Sequence, residues 1–309
     1  MQLSLYNRRV IEIRLKDDYS REITRLRVSI TSKCNMNCFY CHHEGYLSQS
    51  PHQELSLKQI DQICSMINKY HIGSVKITGG EPLLHPDIVE IVKKLSSIGT
   101  LKDVSLVTNG LLLESKVKDL KLAGLDRINI GLDSLCNSSV KIIDRIEKGI
   151  KSVRDVGFDL IKLNMVLLRT INDNEINEMM EFAKENSFIL QIIELINTND
   201  EFYQKYHIDL DETERKIAKK AIKTISRKFQ DRKQYHLADG TIIEIVRPMH
   251  NPQFCMNCHT LRVTHDFKFQ PCLNRMDNLV PIKDDIENAL IEVMKRRMPF
   301  NVHEKCIND

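Results

Sequence analysis

No apolar run in this 309-residue chain approaches the length of a membrane span, and the opening Met1-Gln-Leu-Ser-Leu-Tyr-Asn-Arg8 lacks the apolar core of a signal peptide. Charge of one sign is scarce too. The 45 Lys and Arg residues against 42 Asp and Glu leave only +3, too little to expect nucleic acid or an anionic membrane as a partner. Repeats and low-complexity tracts are missing. The basic runs Arg227–Lys233 and Lys295–Arg297 read as solvated helix faces. What remains is ordinary soluble-globular usage, 42% hydrophobic and 28% charged, in a chain long enough for one barrel-sized domain with a small extension. Nine cysteines without an export signal favour metal or redox use over disulfides, and a cytosolic compartment.

Three of those cysteines, Cys34, Cys38 and Cys41, stand in the run Cys34-Asn-Met-Asn-Cys-Phe-Tyr-Cys41. A C-x3-C-x2-C spacing brings three thiolates onto one short loop. They can hold three irons of a four-iron cluster and leave the fourth iron open to a substrate or cofactor. The plainer alternative is zinc completed by His42 or His43. Structural zinc more often uses two separated C-x2-C pairs, so the spacing favours the cluster.

Hydrophobic periodicity supplies the fold. Arg25–Thr31 alternates with period two and runs straight into the cysteine loop; similar β-rich runs follow at 75–78, 103–108, 127–132, 161–166 and 189–195. Helical patterns lie between them at 57–70, 86–98, 115–123, 140–156 and 174–186, with Gly73, Gly99, Gly124 and Gly157 near their ends. Six strand–helix repeats predict an α/β fold, an incomplete parallel (β/α)6-type TIM barrel, with its chemistry at the C-terminal ends of the strands. Residues 1–20 form an extra segment with Leu3, Leu5, Ile11, Ile13 and Leu15 predicting a strand pair, and residues 21–205 form the barrel core. Residues 206–309 form a C-terminal region in which a charged amphipathic helix over 211–229 precedes a strand at 241–246.

A second cysteine group, Cys255, Cys258 and Cys272, has the spacing C-x2-C-x13-C. Alone it fits a zinc site with His259 or His265 as fourth ligand, or a second cluster.

The first motif, with Tyr40 before its last cysteine, resembles the signature of the radical S-adenosylmethionine (AdoMet) enzymes. With the second group, the chain resembles the GTP 3′,8-cyclase family (molybdenum cofactor biosynthesis protein A) over roughly residues 17–300. The resemblance also covers Leu26-Arg-Val-Ser-Ile-Thr31, Ile77-Thr-Gly-Gly-Glu-Pro-Leu83, Thr108-Asn-Gly-Leu-Leu112, Ile128-Asn-Ile-Gly-Leu-Asp133, Ile161-Lys-Leu-Asn164, Cys258-His-Thr-Leu-Arg-Val-Thr264 and Pro271-Cys-Leu273. It implies a first four-iron cluster on Cys34, Cys38 and Cys41, whose open iron chelates AdoMet and cleaves it to a 5′-deoxyadenosyl radical. It implies an auxiliary four-iron cluster on Cys255, Cys258 and Cys272 that binds the purine of GTP.

The same resemblance assigns AdoMet contacts to Tyr40, Gly79, Gly80, Glu81, Thr108, Asn109, Gly131 and Gln191. It assigns GTP contacts to Arg27, Lys76, Lys162, Thr260 and Arg262, with Arg262 also donating to charge developing on the substrate. The implied reaction converts GTP to 3′,8-cyclo-7,8-dihydro-GTP through abstraction of the C3′ hydrogen. The implied partners are an external one-electron donor and cyclic pyranopterin monophosphate synthase downstream; a homodimer is left open. Several positions depart from the family. Thr260 and Gln191 stand where arginine is expected, Gly131 where serine is, and the chain ends Cys306-Ile-Asn-Asp309 without a Gly-Gly tail. The missing tail, with Cys41-His-His-Glu-Gly45, looks more like the archaeal members. The rival readings are a two-cluster paralogue acting on a peptide or another nucleotide, and a non-catalytic zinc protein.

Overall fold

The computed structural model describes residues 14–45, 53–135, 143–283 and 285–300. The barrel core alternates as expected: β1 (Arg25–Ser29), α1 (Leu57–Lys69), β2 (Ser74–Thr78), α2 (Ile88–Ser96), β3 (Asp103–Thr108), α3 (Leu113–Leu122), β4 (Arg127–Gly131), α4 (Ile143–Val156), β5 (Leu160–Leu167), α5 (Ile176–Glu185) and β6 (Ile189–Glu194). Local chemistry explains the helix starts. Ser56 and Gln59 form a reciprocal capping box at α1, and Ile60, Ile63 and Ile67 then turn inward at helical spacing. Gly124 (φ +98°) and Gly157 (φ +74°) close α3 and α4 in the left-handed region open to glycine.

The rest of the chain adds α6 (Asp200–Tyr206), α7 (Asp211–Lys220), β7 (Ala221–Arg227), β8 (Arg232–Leu237), β9 (Ile242–Val246), α8 (Pro252–Met256), β10 (Thr260–Val263), β11 (Lys268–Gln270), β12 (Val280–Pro281) and α9 (Ile286–Lys295). These strands flank both sides of the core. Among the described residues one sheet runs β12-β11-β10-β1-β2-β3-β4-β5-β6-β9-β8-β7. Strands β1 to β6 are parallel throughout, β10 joins β1 in parallel and β9 joins β6 in parallel. The sheet is therefore an open arc whose parallel region the C-terminal segment widens at each end. The core lies between sheet and helices, where Ile77, Leu106, Ile128, Leu163 and Leu190 are fully enclosed.

Two expectations require correction. The helix expected over 211–229 stops at Lys220, and residues 221–227 form β7, antiparallel to β8. Ile222, Thr224 and Ile225 are β-branched, and β7 is the exposed outer strand, where Lys223 and Arg227 suit an edge. The runs read as solvated faces are not all solvated: Arg297 is 2% exposed, and Arg227 and Arg232 face inward from β7 and β8. The strand pair expected in residues 1–20 falls mostly outside the described residues; within them, only an isolated antiparallel bridge links Lys16 to Glu22.

Candidate active site

One cavity of about 380 Å³ runs along the parallel strands, from the first residues of β1 to β4 (Arg25, Ser74, Asp103 and Arg127) to their C-terminal ends. Both cysteine groups line it, Cys34, Cys38 and Cys41 after β1 and Cys255, Cys258 and Cys272 around β10 and β11. The expected residues Arg27, Tyr40, Lys76, Gly79, Gly80, Thr108, Asn109, Gly131, Lys162, Gln191, Thr260 and Arg262 line it as well. Glu81 lies just behind the wall, fully buried.

The first cysteine loop is held by its neighbours. Gly80 N–H donates to Thr31 O and Glu81 N–H to Lys33 O, both at 2.7 Å. A Cβ on Gly79 would meet Thr31 O at 2.6 Å, and one on Gly80 would meet Lys33 O at 2.2 Å. The glycines are thus required by the backbone that enters the cysteine loop. Glu81 accepts from Leu83 N–H at 3.0 Å, Thr108 Oγ1 at 2.7 Å and Asn109 N–H at 2.7 Å, which welds the ends of β2 and β3 together. Asn109 Nδ2 donates to Asn35 Oδ1 at 2.8 Å, and the Tyr40 hydroxyl bonds Asp133. Burial and Asp133 push the Tyr40 phenol well up, so it stays a donor.

Register explains how the cations meet. Arg262 on β10, Arg27 on β1 and Lys76 on β2 are successive cross-strand neighbours. Glu44, at φ +55° in the turn after Cys41, accepts from Arg27 Nε at 2.8 Å, Arg262 Nη1 at 2.8 Å and Thr78 Oγ1 at 2.9 Å. Burial alone would raise the Glu44 carboxyl; Arg27, His42 and Arg262 outweigh it and hold the group well below the usual range. Lys162 Nζ pairs with Glu244 Oε2 at 2.7 Å, and Gln191 Nε2 donates to Glu244 Oε1 at 2.6 Å. Burial pulls Lys162 down to about 8 against the attraction of Glu244. Lys76 is pushed well down from its usual value too, by burial and then by Arg127, Arg27 and Lys162.

Sequence reasoning missed four of these groups. Glu44 and Glu244 are the counter-ions of the expected cations, 17 positions from Arg27 and 82 from Lys162, and no local pattern marks them. Arg227 Nη1 and Arg232 Nη1 reach Glu244 at 2.9 and 3.2 Å, beside Gln191. The ring of Phe229 lies between Arg25 and Arg232, with their guanidinium carbons 4.4 and 5.0 Å from its centroid. Nine Arg and Lys side chains line the cavity against five carboxylates, an excess that suits a polyanion.

The residues present fit thiolate-held clusters and a polar ligand. The donors in both groups are all sulfur, the soft type iron–sulfur clusters select. Burial pushes the Cys41 and Cys272 thiols up to about 11, so metal binding there must release their protons. Three buried polar atoms in the cavity wall, His42 Nδ1, Arg232 Nε and Asn274 Oδ1, lack a protein partner. The imidazoles weighed as zinc ligands in the second group are engaged elsewhere: His259 Nδ1 lies 2.8 Å from Glu22 O, and His265 does not line the cavity. Among the described residues no three His, Cys, Asp or Glu side chains gather around one point as a single-ion site. Cys136 and Cys306 fall outside the described residues.

Residues 28–183 match the family described as Radical SAM superfamily, and residues 188–305 match Molybdenum Cofactor Synthesis C. The chain belongs to the radical SAM superfamily, within the GTP 3′,8-cyclase family. A relative from Methanothermobacter thermautotrophicus named "Probable GTP 3',8-cyclase" is 42% identical over 304 residues, 93% of this chain and 98% of that protein. Another of the same name from Methanosarcina acetivorans is 41% identical, over 97% of this chain and 93% of that one. Among solved structures, native anSMEcpe with bound AdoMet superposes with a TM-score of 0.64 at 18% identity, covering 92% of this chain and 86% of that one, a likeness of fold. Membership in the cyclase family agrees with the two cysteine groups and the cationic cavity. No helix among the described residues is long and apolar enough to cross a membrane.

Proposed function

We propose that this protein is a cytosolic GTP 3′,8-cyclase that makes 3′,8-cyclo-7,8-dihydro-GTP for molybdenum cofactor biosynthesis. The observation that carries the reading is the convergence of six cysteines and an excess of cations on one cavity. Residues 21–205 serve as the radical-generating core and residues 206–309 bring the substrate-side cluster, with residues 1–20 as an added segment. Cys34, Cys38 and Cys41 hold one four-iron cluster, and Cys255, Cys258 and Cys272 the other. The first cluster with AdoMet supplies a 5′-deoxyadenosyl radical able to take the C3′ hydrogen of the ribose.

The protein's part is position, charge and exclusion of water. Glu81, Thr108 and Asn109 keep the ends of β2 and β3 rigid beneath the cysteine loop, and Tyr40 and Gly131 border the AdoMet space. Arg27 and Arg262 present adjacent positive charge to the nucleotide, aligned by Glu44, with the Lys76 amine beside them as a further donor. Arg262 donates to charge developing on the base beside the auxiliary cysteines. Lys162 meets the triphosphate, supported by Arg227 and Arg232 in place of an arginine at Gln191. Thr260 adds a small polar contact. An external donor supplies the electron, and cyclic pyranopterin monophosphate synthase takes the product.

A paralogue acting on a peptide or another nucleotide is favoured by Gln191 and Thr260, but Arg227 and Arg232 restore cationic character at the first. Anaerobic incubation with AdoMet, reductant and each nucleoside triphosphate in turn separates the readings. Formation of an isomer of GTP, with no product from ATP, supports the cyclase; turnover of another nucleotide with GTP inert overturns it.

A further inference from the structure

The loop that carries the second cysteine group is gripped from behind by three buried charges. Asp17 and Arg21 come from the segment before β1, and Arg297 follows α9, 280 positions from Asp17. Their side chains are 0%, 5% and 1% exposed. Arg21 Nε donates to Asp17 Oδ2 at 2.8 Å, and Arg297 Nη1 bonds the same oxygen. Two further donors reach the backbone of the cysteine loop, while Arg297 Nε is buried without a partner. Arg21 Nη1 donates to Cys255 O at 3.0 Å, and Arg297 Nη2 donates to Cys258 O at 2.6 Å. Arg21 Nη2 donates to Arg297 O at 2.7 Å, which ties the two arms together. Asp17 Oδ1 is filled by the N–H groups of Tyr19 and Arg21 at 3.0 and 2.9 Å.

Such an arrangement is a poor device for stability alone. Each buried ion pays several kcal/mol of desolvation, and well-packed apolar residues often serve as well or better. Its stoichiometry is also uneven, with two guanidinium groups sharing one carboxylate. The surplus positive charge lies directly behind two cysteines. Three thiolates around an oxidised four-iron core carry a net negative charge, which one-electron reduction increases. Buried cations and donors near a cluster favour its reduced form, and partners behind the ligands fix their orientation.

We propose that Asp17, Arg21 and Arg297 form a positioning clamp that presents Cys255 and Cys258 to the auxiliary cluster and raises that cluster's reduction potential. The clamp acts through the backbone of the cysteine loop, with Arg21 also bordering the cavity. It rests on the reading that the second cysteine group holds a cluster, and its test keeps the two apart.

The test uses the full chain, anaerobically reconstituted, as wild type, Arg297→Gln and Asp17→Asn. Iron per chain is measured, and each protein is titrated potentiometrically with spectroscopic detection. The auxiliary cluster is the signal that added AdoMet leaves unperturbed. Arg297→Gln removes a cation and shifts its potential down. Asp17→Asn removes the counter-charge at nearly constant shape and shifts it up, while the AdoMet-responsive cluster stays put in both. Opposite shifts from two neighbouring substitutions are not produced by loosened packing. If Arg297→Gln retains no auxiliary iron, the sign for Asp17→Asn decides: an upward shift supports the clamp. Unchanged potentials, or shifts of the same sign, overturn it while leaving the two-cluster reading intact. Wild-type protein with only an AdoMet-responsive cluster overturns both.

Discussion

Replacing Lys162 with methionine probes the cationic wall with the least collateral change. The ammonium is 5% exposed and lies 2.7 Å from Glu244, but Glu244 keeps Arg227 at 2.9 Å, Arg232 at 3.2 Å and Gln191 at 2.6 Å after the substitution. No buried charge is orphaned, so folding stability changes little. Nucleotide binding loses one charge-assisted contact, about 1.5–3 kcal/mol, or roughly ten- to 150-fold in Kd. Calorimetry with GTP and guanosine locates the contact. The loss is expected with GTP and not with guanosine, because the assignment places Lys162 on the triphosphate. Acidity gives a second signature. Lys162 sits at about 8, below its usual value, and only the charged form binds phosphate. Wild-type affinity for GTP is therefore full below about pH 8 and falls above it, by up to about tenfold per pH unit, and Lys162→Met removes that break. A loss below about threefold, or an equal loss with guanosine, refutes the assignment.

Reconstituted protein should carry about eight irons, and Cys34, Cys38 and Cys41 changed together to alanine should halve that content and end AdoMet cleavage, as iron and 5′-deoxyadenosine assays report. Cys255→Ala should spare uncoupled AdoMet cleavage while abolishing the nucleotide product in mass analysis. Gly80→Ala places a Cβ 2.2 Å from Lys33 O, so calorimetry should show a loss of about 1–3 kcal/mol or more, with weakened AdoMet binding. Glu244→Gln strips the shared counter-ion from Lys162, Arg227 and Arg232; a cost of about 3–5 kcal/mol for such a buried loss, reduced by the 39% exposure of Arg227, should lower Tm by at least about 4 °C.

The strand–helix alternation was legible because each core strand is a short β-rich run and each helix has its own period. The cysteine loop after β1 was legible for the same reason: spacing along the chain is local information. Residues 211–229 misled because Lys219, Lys220, Lys223 and Lys228 keep a helix-like charge pattern through a segment whose fate is set by pairing with β8. The Glu44 and Glu244 counter-ions were invisible because register across the sheet, not sequence distance, brings them to their cations. Arg297 read as solvated because its partner Asp17 lies at the other end of the chain. Gly79 and Gly80 were expected to admit a ligand; the first atoms a Cβ would meet belong to Thr31, Ser32 and Lys33.

The most direct test follows the C3′ hydrogen. GTP deuterated at C3′ is incubated anaerobically with reconstituted protein, AdoMet and reductant, and 5′-deoxyadenosine is weighed by mass spectrometry. A cyclase of this kind yields 5′-deoxyadenosine one deuterium heavier, in equal amount to an isomer of GTP. Unlabelled 5′-deoxyadenosine beside intact GTP would contradict the account, leaving the radical machinery in place but assigning it to another substrate.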